Sequence, residues 1–403
     1  MKKGTKCTIC TGCGRCFGSD PVKIISYSGT GEHHGRVLPY PVICADIGTT
    51  TIAMICCDEK GRVLDHYSVL NPQGRYGADV LSRIGAASDP AAAGVMRDLV
   101  MDVLKTGALR FAEHNAGCMY ISANTTMSYL LMGYETAELG SAPFNASYIG
   151  GAEFELPAGE KGEKIKAVLL PGFSAFAGAD IYAGILAADL CASGDYRLLC
   201  DLGTNGEIAL GNKDHLYVTA TAAGPAFEGG PCKGIWGADM IHFASVLLDE
   251  GIMDETGLLK DPYFDEGITI GSAKVTQESV RALQLAKGAM KAGIAILLDK
   301  AGISYPDVEK CVLAGGFGYH LDPKDAANIG LLPAQLIPVC ESGGNTALKG
   351  ALEYAFLRSS RQSDDMCADN AGSLPLPPYR VINLAEEDAF NDLYMSSLNF
   401  ENI

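Results

Sequence analysis

The chain has 403 residues, of which 48% are apolar and 20% charged, and carries a formal net charge of −17. This length supports two or three domains with cores of their own. The acidic balance excludes nucleic acid and anionic membrane surfaces as partners and permits docking to a basic protein.

No apolar run reaches the roughly 18 residues that a membrane helix needs. The basic start Met1–Lys6 leads into cysteines and glycines instead of a signal core. A cytoplasmic protein is expected, with its 14 cysteines reduced or metal-bound.

In chain order the first feature is Cys7, Cys10, Cys13 and Cys16, each separated from the next by two residues. Thiolates at this spacing suit an iron–sulfur cluster, with [4Fe–4S] the expected type, or zinc; a run without stable metal is the third possibility. The spacing before the fourth cysteine is two residues where the bacterial ferredoxin pattern has three, and Phe17 stands where that pattern has proline. Residues 17–40 read as a linker.

The first α/β unit opens at Val42. An apolar run ends in Asp46, turns at Gly48, passes Thr49, Thr50 and Thr51 and becomes apolar again. This is a β-hairpin whose turn offers N–H groups and hydroxyls to an anion, with Asp46 placed to hold a metal ion through water. A third strand follows through Leu70, then a turn-rich stretch, Asn71–Asp79. Helices are expected over 79–86 and 91–115, and a strand over Met119–Ala123, with Asn124 capping the next helix. Gly140–Lys164 reads as a polar excursion. A strand over Ala167–Pro171 and a helix opening at Gly178-Ala179-Asp180 complete the unit.

The second unit begins at Arg197 and repeats the first hairpin: a strand ends in Asp201, turns at Gly203-Thr204-Asn205 and resumes through Glu207. Small residues around Gly224 leave backbone open to a ligand, with Glu228 close behind. Helices are expected over Ile241–Leu248 and Gln277–Leu298. A strand runs into Gly315-Gly316-Phe317-Gly318. A helix around Lys324–Ile329, a strand over Gln335–Val339 and a helix over Thr346–Leu357 follow. The tail regains a strand over Tyr379–Leu384 and an acidic segment that packs back on the body.

Three loops thus fit one nucleotide. Gly48–Thr51 and Gly203–Asn205 close on its phosphates, Asp46 and Asp201 hold Mg²⁺, and the turn of Gly315, Gly316 and Gly318 lies against the adenosine. Glycine suits such positions because a Cβ would keep the backbone from the ligand. For hydrolysis Asp46 and Asp201 are the expected catalytic residues. Glu207 is either a third or an exposed strand residue.

The two Asp-x-Gly-Thr loops and the late Gly-Gly-x-Gly turn resemble the acetate kinase, sugar kinase, Hsp70 and actin superfamily. More narrowly, Asn71-Pro72-Gln73 with Tyr76-Gly77-Ala78-Asp79, Ala222–Gly229, Leu283–Lys287 and Gly330-Leu331-Leu332-Pro333 resemble the reductive activators of corrinoid proteins. The resemblance covers about residues 40–400. It implies an α/β fold of duplicated ribonuclease H-like (actin/Hsp70-type) ATPase domains behind a short Cys-rich segment. The division is 1–37 for that segment and linker, 38–194 and 195–376 for the two ATPase subdomains, and 377–403 for the tail.

The implied function is ATP-dependent reduction of a corrinoid protein from Co(II) to Co(I) in a methyltransferase or demethylase system. Electrons come from a reduced ferredoxin or flavodoxin-like donor through the iron–sulfur cluster, in a homodimer. Nucleotide-driven domain closure supplies coupling on the usual allosteric scale of about 1–3 kcal/mol. The resemblance also places Glu228 and Lys287 at the nucleotide, where a salt bridge explains either as well. At its front end the chain departs from long family members, having four cysteines where they carry a whole ferredoxin-like domain. A small-molecule kinase of the same superfamily and a nucleotide-switched, zinc-binding scaffold are the alternatives.

Overall fold

The computed structural model describes residues 36–158, 163–203, 206–221, 237–270, 273–315, 321–361 and 376–401. In chain order the first elements are β1 (Val42–Ile47), β2 (Thr51–Cys57), β3 (Val63–Leu70), α1 (Val80–Ala87), α2 (Pro90–Arg110), β4 (Cys118–Ala123), α3 (Thr125–Met132), β5 (Ala152–Pro157), β6 (Lys164–Leu169) and α4 (Ala179–Ala187). Next come β7 (Tyr196–Leu202), β8 (Gly206–Gly211), β9 (Leu216–Thr221), α5 (Gly237–Asp249), β10 (Ile268–Ile270), β11 (Ala273–Val275) and α6 (Gln277–Ala301). The rest are β12 (Val308–Ala314), α7 (Pro323–Asn328), β13 (Cys340–Gly344), α8 (Thr346–Arg361), β14 (Tyr379–Val381) and α9 (Phe390–Ser396).

The chain forms two compact units, each built on a six-stranded sheet. The first sheet has the order β3-β2-β1-β4-β6-β5 and the second β13-β12-β7-β8-β9-β14. Read outward from β1 and from β7, the two share five strands, an antiparallel meander on one side and two parallel strands on the other. The sixth differs, β5 running antiparallel beside β6 and β14 parallel beside β9. The duplication expected from two Asp-x-Gly-Thr hairpins is therefore a duplicated sheet topology. Both units are mixed α/β structures of the expected fold class.

Strand alternation decides where each core lies. In the first unit Ile43, Ala45 and Ile47 of β1 join Met54, Met119 and Ile121 in a cluster with Met96, Val100 and Leu104 of α2 and Met127 and Leu130 of α3. In the second, Leu198, Cys200 and Leu202 of β7 meet Ile208, Leu313 and the α6 residues Leu283, Met290 and Ile294. Asp46 and Asp201 fall on the alternate faces, at the ends of their strands.

Several sequence expectations change. Gly140–Lys164 contains a strand, β5, pairing antiparallel with β6 as an edge whose outward positions are charged. The strand expected over Gln335–Val339 is a 3₁₀ helix around Pro338; the ladder begins at Cys340, where donors are available. Asn71–Asp79 holds a 3₁₀ turn, Pro72–Tyr76, and the helix expected to Asn115 stops at Arg110. The short β10–β11 hairpin carried no readable period. The helix Thr346–Arg361 belongs to the first unit, where the sequence division had put it in the second. Among the described residues the cysteines are free thiols, and no helix is long and apolar enough to cross a membrane.

Helix α8 lies against α4 with backbone touching backbone. A Cβ on Gly350 would stand 1.8 Å from the Ala183 carbonyl oxygen, and Lys349 Nζ donates to Ala187 O at 3.0 Å. This contact fixes the sign of a prediction. Helix propensity alone would make Gly350→Ala stabilising by about 1 kcal/mol. Forcing two backbones apart costs typically about 1–3 kcal/mol, at the high end when the obstacle cannot rotate away. Gly350→Ala is therefore expected to melt several degrees lower by calorimetry; a higher melting temperature would show that the helices do not meet this closely.

Candidate functional site

β1 meets a turn at Gly48, whose N–H donates to Thr51 O at 3.0 Å. A Cβ at Gly48 would lie 2.9 Å from that oxygen, so the close approach requires glycine. The turn carries Thr49, which is buried, and Thr50, which is exposed.

Three asparagines hold this turn by one device. Asn71 heads the 3₁₀ turn: its Oδ1 accepts from Gln73 N at 3.0 Å and its Nδ2 donates to Gly48 O at 2.8 Å. Asn124 heads α3: its Oδ1 accepts from Met127 N at 2.9 Å and its Nδ2 donates to Thr49 Oγ1 at 3.1 Å. Asn345 precedes α8: its Oδ1 accepts from Leu348 N at 2.8 Å and its Nδ2 donates to Asp46 Oδ2 at 2.9 Å. A helix start supplies N–H groups in need of an acceptor, which takes the oxygen end of each amide. The nitrogen end is then aimed at the turn, because an amide has one end of each kind.

Behind the turn lies Arg83, 1% exposed. Its Nη2 donates to Thr49 O at 2.5 Å and its Nε to Gly77 O at 3.0 Å, while Gln73 Nε2 donates to Met96 O at 2.9 Å. Asn71, Gln73 and Gly77, which carried the narrower resemblance, thus form the buttress of the turn. They need not touch a ligand to be required by one.

The electrostatics favour a cation. Burial pushes the Asp46 carboxyl up to about 7; the Asn345 hydrogen bond opposes this and the Asp180 charge adds to it. Asp180, in the first turn of α4, is also raised by burial, against hydrogen bonds from backbone N–H groups such as Ile181 N at 2.9 Å. Two carboxylates held this way gain from a divalent ion, which would return both to their charged form. Among the described residues no three His, Cys, Asp or Glu side chains converge as a direct cage. Mg²⁺ suits such a place, since it keeps most of its water and takes one or two carboxylates with substrate phosphates.

In the second unit Asp201 occupies the position of Asp46. It pairs in register with Glu207 across β7 and β8, so both carboxylates project from one face, and with Ala314 of β12. Glu207 is 8% exposed, which removes the reading of an open strand residue. Gly203 follows directly. Gly315 has φ +101°, and a Cβ there would stand 2.3 Å from Leu202 O and 2.9 Å from Asp201 Oδ1. Gly315, expected against the adenosine, is thus required where β12 meets the end of β7.

Lys287 has another role than the one expected. It is 0% exposed within α6, donates to Ser397 O at 2.8 Å and to Asn399 O, and lies 4.8 Å over the Phe400 ring. It holds the carboxy-terminal tail. Thr204, Asn205, Gly224, Glu228, Gly316 and Gly318, with Cys7, Cys10, Cys13 and Cys16, lie outside the described residues.

Reading the sequence missed Asn345, Arg83 and Asp180. Asn345 carried one signal, standing just before an apolar periodic helix as a cap does; Arg83 had none, since an arginine in a short helix reads as solvated.

Two family models match in tandem: the RACo middle region over residues 42–193, and the C-terminal domain of RACo, the ASKHA domain, over 195–234 and 231–403. The corrinoid activation enzyme RamQ of Eubacterium limosum is 30% identical, the match covering 89% of this chain and 70% of that protein. The [Co(II) methylated amine-specific corrinoid protein] reductase of Methanosarcina barkeri is 24% identical, over 67% of this chain and 57% of that one. A solved reductive activator for corrinoid, iron–sulfur protein superposes with TM-score 0.74 at 26% identity, over 90% of this chain and 66% of that chain.

Proposed function

We propose a function from one premise: the chain belongs to the RACo family. It is an ATP-dependent reductive activator that returns a corrinoid protein from Co(II) to Co(I). The observation that carries this reading is the pair of aspartates, Asp46 and Asp201, at equivalent strand ends of two sheets that share a five-strand topology. The relatives named above, activators and reductases of corrinoid proteins, support the choice of partner.

In this reading ATP is the substrate of the two turns. Asp46 and Asp201 hold the metal through water, and Gly48–Thr51 and Gly203 present backbone and hydroxyl donors to phosphate. Mg²⁺ supplies charge neutralisation on the phosphates and orientation of the leaving group. Glu207, on the same face as Asp201, is the candidate to orient the attacking water. The chain's own contribution is positional: the asparagine clamps and Arg83 hold the first turn in shape without nucleotide.

Electron entry is assigned to Cys7, Cys10, Cys13 and Cys16, on their spacing alone; a cluster there would supply one-electron transfer. The donor is of ferredoxin or flavodoxin type, and a cytoplasmic homodimer is part of the same proposal.

The test is anaerobic and uses the full chain. Purified protein is expected to show broad visible charge-transfer absorbance that dithionite bleaches. With Mg·ATP and a Co(II) corrinoid protein it is expected to produce the Co(I) spectrum, and without ATP it is not. A colourless protein with stoichiometric zinc would remove the redox role and leave the nucleotide-switched scaffold. Phosphate transfer to an acid or sugar, with no effect on the corrinoid, would make it a kinase.

A further inference from the structure

We propose that Asn345 is a positioning residue for ATP turnover, its amide fixing the Asp46 carboxylate in the orientation the nucleotide's metal requires. The inference rests on the nucleotide reading and names a residue that this reading does not need for its fold. Three observations carry it.

The first is the bond itself. Asn345 Nδ2 reaches Asp46 Oδ2 at 2.9 Å across a sequence separation of 299 residues, so tertiary structure alone makes it. Asn345 is also the first residue of the first unit after the chain leaves the second, directly following Gly344 with φ +65°. Asn345 thus opens the chain's return to the unit that holds Asp46.

The second is the choice of cap. A helix start needs only an acceptor, and serine, threonine, aspartate and asparagine all serve. Helices α1, α2 and α7 open with Asp79, Asp89 and Asp322, which also suit the positive end of the helix dipole. The two helices that start over the Asp46–Thr49 turn open with Asn124 and Asn345 instead. Aspartate at 345 would cap α8 equally well but would turn a carboxylate on Asp46. Capping accounts for the oxygen end of the side chain; only Asp46 accounts for the nitrogen end.

The third is the neighbour. Thr346 is 2% exposed, and its hydroxyl has no hydrogen-bond partner among the described residues. A buried hydroxyl without a partner is costly. This one stands on the residue that follows Asn345, so hydrogen-bonding capacity is left unused at the start of α8.

Two variants separate positioning from capping. Asn345→Ser keeps the cap and lacks the amide donor, while Asn345→Asp keeps the cap and presents an acceptor. Each is compared with the intact chain in thermal unfolding without nucleotide, in Mg·ATP binding by calorimetry, and in the Mg²⁺ dependence of phosphate release. For Asn345→Ser the melting temperature is expected to move by no more than about 2 °C. Its kcat is expected to fall and its half-saturating Mg²⁺ to rise, each by about 10–100-fold, the usual effect of losing a residue that orients a metal's ligand. Asn345→Asp is expected to lose more than serine does. A serine variant with wild-type kcat and Mg²⁺ dependence would overturn the inference. So would a loss of activity that only follows a loss of stability. A wild-type chain that binds no Mg·ATP would remove the nucleotide reading first, and the inference with it.

Discussion

Asp201→Ala is expected to fold normally and to lose ATP turnover by about 10²–10⁴-fold, the range for removing a group that positions a proton or metal in the reaction. The fold is expected to survive because the change shortens a side chain at the end of β7 and leaves the strand pairing with β8 and β12 in place. Asp46→Asn tests the equivalent place in the first unit and adds a stability signature. Burial and Asp180 hold the Asp46 carboxyl up near 7, well above the unfolded value of 3.8. Between those two values the folded chain binds more protons than the unfolded one, so stability falls as pH rises. Above about 7 the whole cost of the buried charge is present. An amide at this position does not incur it.

Asp46→Asn is therefore expected to raise the melting temperature of metal-free protein, by more at pH 7.5 than at pH 5, and to abolish turnover at both. A site that is strained empty and satisfied when loaded gives this opposition of stability and activity. Anaerobic phosphate release and calorimetry in chelator read the two effects separately. Full turnover in Asp201→Ala, or a metal-free Asp46→Asn protein less stable than wild type at pH 7.5, would refute the assignments.

How much of this was legible in the sequence depends on how far each signal travels along the chain. Asp46-x-Gly48 and Asp201-x-Gly203 are readable because a strand alternates, a carboxylate ends it and a glycine turns it, all within six residues. The duplicated topology follows from those two stretches. Asn345 is a different case: nothing local says that its amide will meet Asp46, because the contact exists only once α8 packs on α4 through Gly350. β13 was misplaced because Cys340-Glu341-Ser342-Gly343-Gly344 has no strand-forming side chains, and its parallel pairing with β12 holds it in place.

The place of Lys287 is legible in the period of its helix. Leu283, Lys287, Met290 and Ile294 recur at helical spacing, so the lysine stands on the stripe of α6 that faces the core. A lysine on such a stripe must find acceptors inside the protein or reach a ligand. Here it finds two carbonyls.

Those carbonyls belong to the tail, and they set the second large effect. Besides Lys287, Gln284 Nε2 donates to Leu398 O at 2.9 Å, Lys291 pairs with Glu401, and Phe400 N donates to Glu255 O at 2.7 Å. Lys287→Met keeps the volume and removes both donors, leaving Ser397 O buried and unpaired at about 1–3 kcal/mol and Asn399 O, on an exposed residue, to water, less the cost of burying an amine. Burial pushes the Lys287 pKa down to about 7, Lys291 adding to the shift and Glu401 opposing it. Here the sign runs the other way. Between about 7 and the ordinary 10.5 the unfolded chain binds the extra proton, so the stability that the lysine confers grows as pH rises. The neutral amine still carries two N–H groups, enough for both carbonyls.

The wild-type protein is thus expected to melt above Lys287→Met, with the gap wider at pH 9.5 than at pH 7, and chymotrypsin is expected to cut the variant's tail first. Groups other than Lys287 titrate in both proteins and cancel in the difference. A gap that stays constant with pH would mean that the lysine is charged in the folded protein throughout. A methionine variant as stable as wild type would mean that the tail is held by Gln284 and the Phe400 ring without it.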